Sequence, residues 1–378
     1  MDASGQLWDA IVVGAGPAGC AAAYDLAAAG QSVLLLDKKD FPHAKACAGG
    51  LTSKAVQILR YSIDPVVRKV IGRVRLEGSS SSSPDTVVLK SRQPICVMTV
   101  RAELDEYCLR KTTAAGACLK KIEGVQQILR GGDEVHLLTP SGGYRARFLV
   151  GADGASGQVR RLCAAGSWFS QGFALEVQVA VPREELDLVF DFASVSNGYA
   201  WIFPKGDHLN VGLYTLSSSA SLTRSRLLGY LKKRLGSEEV LHGVTGQYLG
   251  IGAGESPAEY VQQDLRDRVF LVGDAGGFAD PLTGEGIYGA LVSGQAAAKA
   301  ILAELRGESA AAEVFAAHLT GYRQTLRFSS RAAGAFYADP GRGFRAMRLP
   351  FVRRSLVRTY THGLNVKSLA MRIALAHC

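Results

Sequence analysis

Residues 9–37 read DAIVVGAGPAGCAAAYDLAAAGQSVLLLD, and few folds can accept them. A short apolar run, residues 10–13, enters a turn with glycines at G-x-G-x-x-G spacing: Gly14, Gly16 and Gly19. An alanine-rich helix follows, and a second apolar run ends on Asp37. Strand, turn, helix and strand in that order make a βαβ unit, which calls for a parallel sheet covered by helices. Gly14 permits the tight turn, Gly16 lets backbone amides approach a pyrophosphate, and Gly19 brings the helix close to the sheet. The phosphates then lie on the helix N-terminus, where unpaired N–H groups favour negative charge. Asp37, about 20 residues downstream, is placed for ribose hydroxyls, with Lys38 beside it as a further cofactor-binding candidate. The motif predicts a dinucleotide and by itself leaves FAD and NAD both open.

Two more stretches repeat the logic of a strand feeding an acid into a glycine loop. Residues 148–160, FLVGADGASGQVR, carry Asp153 and Gly154. Residues 269–287, VFLVGDAGGFADPLTGEGI, carry Gly273 and Asp274, then Gly286 and a helix from Ile287. Together the three stretches resemble the fingerprints of FAD-dependent enzymes with the para-hydroxybenzoate-hydroxylase fold, over residues 9 to about 299. The resemblance implies that Asp274 holds the ribityl chain while amides near Gly286 and Ile287 face the pyrimidine edge of the flavin. A helix N-terminus there would stabilise negative charge on reduced flavin. It also implies that Asp153 and Gly154 lie near the pyrophosphate and that Arg101, opening VRAELDEYCL, reaches FAD phosphates or ribose. A second classical NAD-binding G-x-G-x-x-G unit is absent, which implies that NADPH or NADH visits transiently.

Residues 172–215 alternate strand-like runs (FALEVQVAV, LDLVFDF, GYAWIFP, HLNVGLYT) with turns at Asn197–Gly198 and Lys205–Gly206–Asp207. They predict an antiparallel sheet roofing the flavin and suited to an apolar substrate. GYAWIFP resembles the YxWxFP signature of the geranylgeranyl reductase family, and KACAGG (residues 45–50) resembles that family's KxCGGG region, with Ala48 in place of its first glycine. That family reduces isolated carbon–carbon double bonds of polyprenyl chains. The resemblance implies that Tyr199, Trp201, Phe203 and Pro204 line a lipid pocket, and that Gly49 and Gly50 give clearance to the flavin. Cys47 would then lie close to the isoalloxazine, as proton donor to the carbon opposite hydride delivery. Lys45 is a nearby cation that would favour its thiolate. Tyr199, Trp201 and Phe203 share one face of the strand by its period of two.

Composition removes other classes. Seven cysteines are scattered without a CxxC pair, which argues for reduced thiols and against a disulfide framework or zinc site. The first apolar run is preceded by Asp2 and Asp9 where a secretory signal has basic residues, so a cytoplasmic protein is expected. Of the net charge of +9, Arg342, Arg345, Arg348, Arg353, Arg354, Arg358, Lys367 and Arg372 lie after Gly341, with no acid among them. The body is near neutral, which removes a nucleic-acid partner. In that tail Val352, Leu356, Tyr360 and Leu364 recur at helical spacing between arginines. This is either a basic helix lying on the inner face of an anionic membrane or a helix pair packed on the body. EGSSSSSPD (residues 77–85) reads as a hairpin tip.

The expected fold is α/β: a discontinuous Rossmann-like FAD-binding domain (1–75, 100–165, 262–330), an antiparallel substrate-binding sheet domain (76–99, 166–261) and a basic helical segment (331–378). The expected function is an FAD-dependent reductase of an apolar or lipid substrate. An aromatic or protein side-chain monooxygenase, which shares the fingerprints, stays open beside it, as does a non-catalytic flavin redox sensor. A flavin halogenase is disfavoured, since WIFP lacks the preceding tryptophan of WxWxIP.

Overall fold

The computed structural model describes residues 5–80, 83–163, 170–180, 186–217, 219–236, 239–252 and 268–362. The chain divides into two compact units. The first is assembled from Met1–His43, Ala102–Gln171 and Leu249–Arg327. Its sheet runs in the order Cys118–Lys121, Val33–Asp37, Leu7–Val13, Gly142–Gly151, Glu134–Thr139, Gln127–Gly131, and Val269–Leu271 also pairs with Gly142–Gly151. Leu7–Val13 is parallel to both neighbours, with Ala10 opposite Val33 on one side and Phe148 on the other. Ile11, Val13, Leu34, Leu36, Leu149 and Val269 are buried in one cluster, which explains the uninterrupted apolar runs of these strands. The helix Pro17–Ala28 begins on a proline, whose missing N–H costs nothing in the first turn. It packs against the helix Ile287–Leu305 so closely that a Cβ on Gly294 would stand 2.4 Å from the Ala18 carbonyl oxygen.

The second unit comprises Ala44–Arg101, Gly172–Tyr248 and Phe328–Cys378. Residues 44–75 cluster here because Gly50–Thr52 and Lys69–Ile71 both pair with Cys96–Met98 in a small sheet. The large sheet has the order Thr245–Ile251, Ser170–Ala180, His208–Thr215, Gly198–Pro204, Leu188–Asp191, Arg73–Ser80, Ser83–Lys90. It is antiparallel as expected through its centre, but Leu188–Asp191 runs parallel to Arg73–Ser80. One face packs Val177, Val179, Ala200, Ile202, Val211 and Leu213 against Leu227 and Leu231 of the helix Arg224–Leu235.

The serine-rich stretch joins a hairpin whose register reaches Ser80 opposite Ser83, with residues 81–82 outside the described residues. Two helices, Pro340–Met347 and Pro350–His362, dock on the second unit. The ring of Phe344 occupies the space a Cβ on Gly78 would take, Arg348 pairs with Asp85, and the Gln57 side-chain amide donates to the Thr361 carbonyl at 3.0 Å. Val352 is buried, Leu356 and Tyr360 are half-buried, and Leu364 lies outside the described residues. Among the described residues no helix is long and apolar enough to cross a membrane.

Candidate active site

In the first unit the three fingerprints converge on the start of the helix Pro17–Ala28. Gly14 has φ +104°, and a Cβ there would lie 2.4 Å from the Ala152 oxygen of the second fingerprint. A Cβ on Gly19 would stand 1.7 Å from the Gly14 oxygen, so the helix sits directly on its own turn. Gly16 differs: it is the N-cap, no side chain caps the helix, no acid occupies its first turn, and a Cβ would meet nothing within 4 Å. Free N–H groups and open space therefore coincide at the positive end of the helix. Asp37 fixes the turn, its Oδ2 accepting the Ala15 N–H at 2.6 Å and its Oδ1 the Lys39 N–H at 2.8 Å. Each oxygen keeps a lone pair for a second donor.

Asp153 caps the helix Gln158–Cys163, its Oδ2 accepting the N–H groups of Gln158 at 2.5 Å and Val159 at 3.0 Å. Burial pushes its carboxyl above the ordinary range, opposed by those two donors and by the charge of Lys38. Its Oδ1 is buried and has no hydrogen-bond partner among the described residues. Gly154 follows at φ +83° with open space beside it. In the third fingerprint a Cβ on Gly273 would lie 2.9 Å from Ala18 Cβ, and the Gly273 N–H donates to Ser293 Oγ at 2.8 Å. Asp274 comes next, and a Cβ on Gly286 would be 3.2 Å from its Oδ1. Gly286 is the N-cap of the helix that begins at Ile287, and it too lacks a side-chain cap.

In the second unit the two family-like motifs meet. A Cβ on Gly50 would be 3.5 Å from the Phe203 ring, and Lys205, the residue after the YxWxFP motif, donates to the Ala48 carbonyl. Tyr199, Trp201, Phe203 and Pro204 are all buried. The three rings do share one face: centroids are 6.2 Å apart for Tyr199 and Trp201, and 6.4 Å for Trp201 and Phe203. Phe190 touches both Tyr199 and Phe203 at 5.1 Å. The indole of Trp201 lies over Gly212, where a Cβ would come within 2.2 Å of it, and its Nε1–H donates to Asn210 Oδ1 at 2.6 Å.

Around Cys47 the structure places charges that the sequence did not single out. Lys205 is 3 % exposed and Glu176 7 %. Glu176 accepts the Cys47 backbone N–H and a bond from the Asn210 side chain. Burial pushes its carboxyl above the ordinary range, while those two donors and the charges of Lys205 and Arg101 pull it back. Burial likewise lowers the Lys205 amine to about 8, against the raising influence of Cys47, Glu176 and Cys96. Arg101 is buried rather than a surface helix-start residue. Lys205 is thus a buried cation close enough to Cys47 to feel its charge. Cys47 Sγ accepts the Gly49 N–H at 3.3 Å. Two signals could have found the missed pair: Glu176 is a lone acid in an apolar strand, and Lys205 directly follows Pro204.

A family profile for an FAD binding domain matches residues 8–318. An uncharacterized protein of Methanosarcina barkeri is 35% identical over 305 residues, covering 79% of this chain and 76% of that one. The digeranylgeranylglycerophospholipid reductase of Methanosphaerula palustris is 28% identical over 350 residues, covering 85% and 82%. In fold, a geranylgeranyl bacteriochlorophyll reductase-like protein of Thermoplasma acidophilum superposes with a TM-score of 0.76 at 19% identity, over 97% of this chain and 99% of that one. Three fingerprints around one uncapped helix start and a mixed α/β fold define an FAD-dependent oxidoreductase. The chain belongs to the family of that FAD binding domain, and in sequence it is similar to geranylgeranyl-type reductases.

Proposed function

We propose that this enzyme reduces a carbon–carbon double bond of an apolar, polyprenyl-type substrate, with electrons from NADPH or NADH passed through FAD. The observation that carries the reading is the meeting of Gly50 with Phe203 and of Lys205 with Ala48, which joins the cysteine loop to the aromatic strand. A relative whose name states reduction of a digeranylgeranyl lipid supports the substrate class.

The first unit fits FAD on its own geometry. The open N-terminus at Gly16 suits a pyrophosphate, the lone pairs of Asp37 suit ribose hydroxyls, and the uncapped start at Gly286 with Asp274 over it suits a polyol chain and a ring edge. The orphaned Asp153 Oδ1 offers a further acceptor. FAD held there would supply hydride chemistry between a nicotinamide donor and one carbon of the double bond. Cys47 supplies the proton to the other carbon, and a thiol beside a buried ammonium is suited to be recharged. Tyr199, Trp201 and Phe203 present an apolar wall that excludes water and orients a hydrocarbon chain. Arg354 and Arg358 are exposed on the helix Pro350–His362, and they offer an anionic membrane a docking face from which a lipid substrate is drawn.

Anaerobic titration of the holoprotein tests this. NADPH or NADH is expected to bleach the flavin, and geranylgeranyl diphosphate or a digeranylgeranyl lipid to restore its colour with formation of a saturated product. Colour restored only by oxygen, with a hydroxylated product, would replace the reading by monooxygenation. No bleaching with either nicotinamide would remove the proposed electron donor.

A further inference from the structure

The Cys47 loop is held by two buried ionisable side chains, Lys205 and Glu176, that no fingerprint contains. Lys205 Nζ donates to the Thr99 carbonyl at 2.6 Å and to the Ala48 carbonyl. It stands where a Cβ on Gly49 would come within 2.5 Å of it, and Gly49 has φ +62°. The same glycine is tied to Thr99, whose N–H and Oγ1 donate to the Gly49 carbonyl at 2.8 Å and 3.1 Å. From the other side Glu176 accepts the Cys47 N–H. Glu176 is in turn bonded by Asn210, whose Oδ1 receives the Trp201 indole. One ionisable group therefore grips the amide of Cys47 and the other grips the carbonyl of the next residue, with the aromatic strand wired to both.

We infer that Lys205 is the positioning residue of the Cys47 loop, its buried amine fixing residues 47–50 through two main-chain carbonyls while Glu176 holds the loop from the other side. The groups facing the amine are Cys47, Glu176 and Cys96, which favour its charged form, and Arg101, which opposes it. Asp207, two residues on, is engaged with His208 at 2.7 Å and Arg68 at 3.9 Å. The clamp has a measurable signature. Closed, the amine loses its proton near pH 8; opened and hydrated, it returns toward the ordinary value near 10.4. The open loop then binds more protons between those values, so opening becomes harder as pH rises through that window and is insensitive to this group below it. The role of the loop in reduction rests on the function proposed above; the clamp itself does not.

Hydrogen exchange of peptides spanning residues 44–50 in the full-length holoprotein, corrected for intrinsic rates between pH 6.5 and 9.5, tests the clamp. Mass-spectrometric iodoacetamide labelling of Cys47 runs in parallel. In the wild type, protection is expected to be flat and then to rise above about pH 8. Lys205→Met should speed exchange about tenfold at neutral pH and abolish the rise, as loss of hydrogen bonds from a charged donor predicts. Glu176→Gln keeps an acceptor for the Cys47 N–H but removes the carboxylate charge, so the step should move to lower pH. A merely structural lysine would not produce that movement, and this variant carries the test if Lys205→Met does not fold. Unchanged exchange in Lys205→Met, a wild type without a step, or a step unmoved in Glu176→Gln would overturn the clamp. A responsive loop whose variants leave substrate-driven flavin oxidation unaltered would leave the clamp standing and count against the functional reading.

Discussion

The two units build their sites from opposite materials. The first uses backbone: glycines that let one turn lie on another, helix starts without caps, and acids that accept main-chain N–H groups. The second uses side chains brought from distant stretches: Cys47, Arg101, Glu176, Lys205 and Asn210 around one loop, with an aromatic strand beside them. A backbone site tolerates charge changes and is ruined by a methyl group. A side-chain site is governed by charge and by buried hydrogen bonds. Each unit is thus vulnerable to a different kind of substitution.

The sharpest way to break this contrast is at the glycine turn. Gly19→Val would drive a side chain into the Gly14 carbonyl, and it is expected to cost the first unit about 3 kcal/mol or more in urea unfolding. Gly16→Ala meets only open space, so its unfolding curve should match the wild type while FAD affinity by fluorescence titration falls about tenfold, in keeping with close backbone approach to a pyrophosphate. Equal destabilisation by both would mean that Gly16 serves packing as well.

In the second unit the next effect is electrostatic. The Lys205 amine titrates near 8 in the fold and near 10.4 in the unfolded chain. The unfolded chain therefore binds the extra proton across that interval, and this group's contribution to stability rises with pH through it, by on the order of 3 kcal/mol in full. The difference in unfolding free energy between wild type and Lys205→Met, measured at pH 7.5 and 9.5, should shift in favour of the wild type. A shift of the opposite sign would show that the charged form is the one the fold prefers. Trp201→Phe should cost less, about 1–3 kcal/mol, because it leaves the buried Asn210 Oδ1 without its donor while keeping an aromatic ring.

The smallest stability effect belongs to the exposed arginines. Arg354→Glu with Arg358→Glu should leave unfolding within about 0.5 kcal/mol of the wild type, yet abolish co-sedimentation with anionic liposomes. Truncation at Gly341 is a poorer probe, since it would also strip Phe344 from Gly78 and Arg348 from Asp85. Retained sedimentation in the double variant would end the membrane proposal.

Legibility follows the same division. Gly14, Gly19 and Asp37 could be read because the chemistry of a βαβ turn is local: some thirty residues contain the strand, the turn, the helix and the acid. The shared face of Tyr199, Trp201 and Phe203 was legible for a similar reason, since a strand alternates by two whatever its neighbours. Glu176 and Lys205 were not. An acid within an apolar strand and a lysine at a turn have no local meaning until sheet pairing sets Glu176 opposite Gly212 and Lys205 closes over Ala48. Lys45 is the nearest cation to Cys47 in the chain, whereas Lys205, whose amine feels the thiol, is 158 positions away (205 − 47).

By itself, then, the sequence determined the dinucleotide turn, the two acid-bearing glycine loops and the aromatic face, because each depends on periodicity or on backbone freedom within a short window. Only the tertiary structure decided which charges surround Cys47, that Arg101 is buried, that Leu188–Asp191 pairs in parallel with Arg73–Ser80, and that the basic tail docks its helices on the second unit. Those outcomes depend on desolvation and long-range pairing, whose energies exist only once distant segments share the same dry space.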